Sequence, residues 1–174
     1  MAEYWDVLNA DRNKTGRVHM RGTPMKAGDY HVVVHVWIWN KKGEFLISKR
    51  SPGIDLAGFW QTTGGSAVTG DTSLGAALRE TQEELGVILD PFAGERFYTT
   101  RLEHDNDPGG WFLDAWLFRA EVDLKEVVLQ EGETCDAMWA SRETILEMCA
   151  AGTFFDNEKW SYMDELFAHC AKEA

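Results

Sequence analysis

Basic residues are scarce in this chain: 17 lysines and arginines stand against 29 aspartates and glutamates, leaving a formal charge of −12 over 174 residues. That shortage excludes a nucleic-acid polymer as partner, because phosphate backbones are held by Lys and Arg stripes and none is present. Long apolar runs are missing too. No stretch approaches the roughly 20 residues of a spanning helix, and the opening MAEYWDVLNADRNK has no apolar signal core, so no membrane role and a cytoplasmic location are expected. The three cysteines, Cys135, Cys149 and Cys170, are odd in number and lack metal-site spacing; they read as reduced packing residues. There is no internal repeat and no low-complexity segment. A hydrophobic content of 44% suffices for one core, so residues 1–174 are expected to form a single domain.

What the chain does hold is a phased array of charge. Glu80, Glu83 and Glu84 stand at i, i+3 and i+4, so a helix would project all three carboxylates from one face. Leu74, Ala77, Leu78 and Leu85, with Thr81 among them, fall on a separate face that would pack. Three such carboxylates repel one another unless a cation joins them. Oxygen-only ligands at this density suit a hard divalent ion, Mg²⁺ or Mn²⁺, which in turn would gather phosphate oxygens. Arg79 stands at i−4 from Glu83, a glycine-led loop precedes the helix, and Gly86 is placed to end it.

The stretch GSAVTGDTSLGAALRETQEELGV, residues 65–87, resembles the Nudix box, G-x5-E-x7-R-E-U-x-E-E-x-G-U with U a bulky aliphatic residue. Two positions depart from it: Asp71 stands where the family has Glu, and Thr81 stands at the first aliphatic position. The resemblance implies an α/β/α sandwich around a mixed β-sheet and metal-dependent hydrolysis of a small-molecule diphosphate. It implies Glu80, Glu83 and Glu84 as metal ligands, joined by Asp71 and the Gly64 carbonyl. It also implies that Arg79 holds the carboxylates in place without touching substrate. An additional acid is common in a later loop of such proteins, as a further ligand or general base. Glu133, six residues before Trp139, is that candidate, with Glu131 competing and Glu83 the alternative base. A monomer and a homodimer both remain open.

Outside the box, Arg50 ends a strand and could steady a phosphate with its planar fork or form a surface salt bridge. His31 and His35 share one face of a strand, as a metal pair or as packed core residues. Of the eight tryptophans, Trp111, beside Gly109 and Gly110, is the candidate for stacking on a substrate; the others are expected in the core.

The expected order of elements is as follows. Strands over 4–9 and 17–20, around a polar turn ending at Gly16, make an N-terminal β-hairpin extension within residues 1–28. A long strand over 30–39 and another over 44–50 come next, with a proline- and glycine-bearing loop at 51–58. After the box helix, strands over 96–103 and 111–121 flank the turn-forming HDNDPGG, which could border the substrate. A short strand over 138–140, a helix capped by Ser141 and a terminal helix capped by Asn157 close the chain. Hairpin, central strand, box and the acid-to-tryptophan stretch together resemble the Nudix branch related to isopentenyl-diphosphate isomerase. The isomerase cysteine and histidine positions hold Gly64 and Ser66, so the thiol acid/base is absent.

Overall fold

YHVVVHVWIW is the organising strand of the molecule. In the computed structural model, which describes residues 2–103, 108–155 and 162–173, it forms β3, Tyr30–Trp39, fully within the expected bounds. Its β-branched and aromatic side chains alternate between two apolar layers. Val34, Val36 and Ile38 face one core with Ala76, Ala77 and Leu85. Trp37 and Trp39 face the other with Phe45, Leu113, Leu166 and Phe167. A strand buried on both faces reads as a continuous apolar run for this reason.

Around β3 the sheet is mixed. Strand β8 (Gly110–Arg119) runs parallel to β3 over its whole length, while β6 (Thr63–Ser66), β4 (Phe45–Arg50) and β1 (Tyr4–Leu8) pair with it antiparallel. Strand β7 (Gly94–Glu103) lies on β8, and β9 (Thr134–Ala140) and the short β5 (Trp60–Gln61) lie on β4. Helix α1 (Ser73–Leu85) covers one face. Helices α2 (Arg142–Ala150) and α3 (Met163–Glu173) cover the other, through Ile145, Leu166 and Phe167. This is the expected α/β/α sandwich. The Asn157 cap and most of the HDNDPGG loop lie outside the described residues.

The N-terminal hairpin is present, with its turn elsewhere than at Gly16. Strand β2 (Lys14–Met20) begins before that glycine, which falls where the β1–β2 register slips between Asp6 and Leu8. The turn is Asn9–Asn13, closed by the Asn9 side chain, whose oxygen accepts from the Asp11 and Asn13 amides at 3.0 and 2.9 Å. At the far end, β9 starts four residues ahead of the expected 138–140 strand, because β4 offers a ladder as far as Thr134.

Candidate active-site cleft

Helix α1 begins where Thr72 accepts the Gly75 amide at 3.0 Å and ends where Gly86, left-handed at φ 67°, returns its N–H to Gln82. Its buried face differs from the simple division into apolar and acidic sides. Leu74 and Leu78 are half-buried, whereas Ala76, Ala77, Thr81, Leu85 and also Glu84 are buried. Small alanines let the helix approach the sheet closely, and in helical projection Glu84 falls between Ala77 and Ala76, so its carboxylate is carried inward. Thr81, the polar residue at an aliphatic box position, returns its hydroxyl to the Ala77 carbonyl at 2.8 Å and is thereby satisfied in the core.

A cleft of about 500 Å³ opens along this helix. Gly64, Gly65, Arg79, Glu80, Glu83, Glu84, Arg50 and Glu133 all line it. Close approach requires the first glycine, since a side chain at Gly64 would meet the Val34 carbonyl; one at Gly65 would meet the Glu80 carboxylate and displace it. Glu131 is exposed and does not line the cleft, so of the two later acids only Glu133 reaches it.

Arg79 is the hub of the acidic set. Its guanidinium donates to Glu80 at 3.0 Å, to Glu83 at 2.9 Å, to the Ser66 carbonyl at 3.0 Å and twice to Asp71 at 3.1 Å. Asp71 is therefore not among the cleft-lining residues: it sits behind Arg79, accepting the Val68 amide with the same oxygen at 3.2 Å. The shorter aspartate fits a role in holding the arginine, which differs from the expected metal ligation.

Burial sets the electrostatics. Desolvation, with the charges of Glu80 and Glu133 adding to it, pushes the Glu84 carboxyl up to about 8, against smaller relief from Arg50 and the Gly64 amide. Glu80 is likewise raised by burial to about 7, although Arg79 beside it pulls the other way. One carboxylate oxygen of Glu84 is buried without a hydrogen-bond partner. A buried acceptor of this kind costs free energy unless a donor or cation reaches it. The residues present thus fit a divalent cation: an orphaned carboxylate oxygen, two neighbouring carboxylates on one cleft and, among the described lining residues, no His or Cys beside these hard oxygen donors. Among the described residues no group of three His, Cys, Asp or Glu side chains forms a ready-made cage. Arg79 now supplies the counter-charge between Glu80 and Glu83.

Arg50 donates to the Asp55 carbonyl at 2.7 Å and to the Gln61 side-chain oxygen at 2.8 Å, both uncharged, so its positive charge faces the cleft without an ion-pair partner among the described residues. Neither Trp111 nor any other described aromatic residue lines the cleft; Trp111 packs against the Trp37 core. His31 stacks on Trp5 at 3.8 Å, and His35 bonds the Tyr162 hydroxyl at 2.7 Å, which burial accompanies by lowering its pKa to about 3. Both histidines are packed core residues away from the carboxylates.

Two cleft residues come from the N-terminal hairpin and were missed: Glu3 and Arg21. The signal was available in the hairpin register. With Tyr4 opposite Met20, the next pair outward is Glu3 with Arg21, opposite charges at the open end. Gln61 and Gln130 also line the cleft, and nothing in the sequence distinguishes them from surface glutamines.

Comparison with known proteins agrees with this geometry. The NUDIX domain matches the chain over residues 29–160. A Nudix hydrolase of Listeria monocytogenes is 36% identical over 169 residues, covering 95% of this chain and 94% of that protein. Among solved structures, DR0079 from Deinococcus radiodurans superposes with a TM-score of 0.72 at 22% identity, over 97% of this chain and 99% of that one. A C. elegans Ap4A hydrolase shares the fold at a TM-score of 0.56 and 20% identity, over 80% and 98% of the two chains.

Proposed function

Because this chain belongs to the Nudix family of hydrolases, we propose that it cleaves a diphosphate linkage in a small molecule, a nucleoside diphosphate derivative or a related compound. In this reading Mg²⁺ or Mn²⁺ is held by Glu80, Glu83 and Glu84 with the Gly64 carbonyl. The observation that carries the proposal is the buried Glu84 carboxylate, with one oxygen unpartnered, on a cleft shared with Glu80 and Glu83. A bound divalent ion supplies neutralisation of phosphate charge as a Lewis acid.

The chain's own residues supply the rest. Arg79, anchored by Asp71, fixes the carboxylates of Glu80 and Glu83. Arg50 offers its uncompensated charge to a phosphate oxygen. A water loses its proton to a carboxylate, its oxygen bonds to phosphorus, and the bond from that phosphorus to the bridging oxygen breaks, releasing the second phosphate group. Two carboxylates can take the proton. Glu83 is the more exposed of the box glutamates, its side chain half open to solvent, and Glu133 stands across the same cleft. The described lining is polar, with Ile54 the one apolar side chain among the described residues, which suits phosphate and sugar better than an aromatic base.

The test is release of phosphate or nucleotide from a panel of diphosphate compounds in Mg²⁺, comparing wild type with Glu83→Gln. The expected result is turnover by wild type and a fall of several orders of magnitude in kcat for a folded variant. A folded Glu83→Gln enzyme with ordinary turnover would overturn the assignment. Binding without turnover by the wild type would instead point to a sensing module.

A further inference from the structure

The hairpin that precedes the family's matched region carries a cation to the cleft. Arg21 and Glu3 are an ion pair at 2.6 Å on the cleft lining, and the Arg21 amide donates to the Glu3 carbonyl at 3.0 Å. This end of the hairpin is fixed to the loop that leads into α1: the Thr69 amide donates to the Tyr4 carbonyl at 2.8 Å, and the Gly70 amide to the Asp6 side chain at 3.1 Å. Arg21 is thus held beside the acidic helix.

Three arginines line the cleft, and their engagements differ. Arg79 is engaged by three carboxylates and the Ser66 carbonyl. Arg50 has no ion pair among the described residues and is committed in part to Asp55 and Gln61. Arg21 has one carboxylate partner, and both members of that pair are largely open to water, with side-chain exposures of 63% and 43%. Such a surface pair contributes little to stability, so exchanging one anion for another at Arg21 costs little. The opposite charges of Glu80 and Glu133 also act on Arg21 across the cleft.

We propose that Arg21 is a specificity-determining residue that binds an anionic group beyond the scissile diphosphate, with Glu3 as the counter-ion the substrate displaces. The substrate class is then a triphosphate or a diphosphate ester bearing a further phosphate. This rests on the hydrolase reading of the cleft and adds the charge its substrate carries. Arg50 serves the diphosphate itself, and Arg21 the group next to it. The lack of an aromatic side chain on the described lining fits recognition by charge.

The test is calorimetric binding of two hydrolysis-resistant probes, imidodiphosphate and diimidotriphosphate, to the full chain in Mg²⁺. Wild type should bind diimidotriphosphate more tightly. Arg21→Gln should weaken diimidotriphosphate roughly tenfold, the scale of one charge-assisted hydrogen bond, and leave imidodiphosphate within about twofold. Arg21→Lys should fall between, and Glu3→Gln should tighten diimidotriphosphate. Equal weakening of both probes, no weakening of either, or no binding of either by the wild type would overturn the proposal. Both positions are exposed, and circular dichroism checks that the variants keep the fold. Turnover by the wild type with unselective Arg21→Gln binding would sink this subsite alone. Selective binding with no diphosphate turned over would sink the hydrolase reading alone.

Discussion

Glu84 carries the largest electrostatic burden of any residue in the cleft. Its carboxyl is raised to about 8 and that of Glu80 to about 7, both above an ordinary 4.5. The folded chain therefore holds these two protons more tightly than the unfolded chain, so their contribution to stability is full at low pH and is lost as pH rises through 7 and 8. His35 works in the opposite sense: buried and lowered to about 3, it favours folding as pH rises to about 6.5. The clean window is thus above about pH 7. With a chelator present, the melting temperature should fall from about pH 7 to about pH 9, Mg²⁺ should restore more of it at the higher pH, and Glu84→Gln should flatten the slope. A flat or rising profile in the wild type would contradict this account of the buried carboxylates. The sequence showed which three glutamates share a helix; it did not show that Glu84 turns inward, because that depends on how α1 is rolled against the sheet by Ala76 and Ala77. The contacts of Asp71 and Trp111 were hidden for a similar reason: spacing along the chain does not reveal that Arg79 bonds one, or that the other packs on the core.

Among the elements, the N-terminal hairpin joins the fold to the cleft. Its turn residue Arg12 reaches across to Asp114 on β8, which is fully buried and also accepts from Ser73 and Thr99. Those donors hold the Asp114 carboxyl below the usual range despite its burial. Truncating Arg12 would leave this buried carboxylate with its two hydroxyl donors and with Arg96 at 3.9 Å, so Arg12→Ala should cost about 2 kcal/mol, read as a lowered midpoint in urea. A loss below about 1 kcal/mol would mean that Ser73, Thr99 and Arg96 suffice. Strands β3 and β4 and the helices α1 and α2 were legible as elements from β-branched density, caps and periodicity. The turn of the hairpin and the length of β9 were not, because a side-chain bond from Asn9 and a ladder offered by β4 decide them.

At the scale of the whole molecule, the α/β/α arrangement was implied by the resemblance that the box carries, and the structure has it. Among the described residues no helix is long and apolar enough to cross a membrane. The sandwich places α1 against β6 and β3 so that the Gly64 and Gly65 backbone passes beside the carboxylates, and the hairpin and the β9 side close the cleft with Arg21 and Glu133. On the proposed reading, the chemistry of this cleft is hydrolysis at phosphorus. The most direct measurement is turnover in ¹⁸O-labelled water with Mg²⁺, followed by mass analysis of the phosphate products, with a chelator as control. The account predicts one solvent oxygen in a phosphate product of each turnover and none with chelator. Turnover that rearranges a diphosphate compound without taking up label would contradict it.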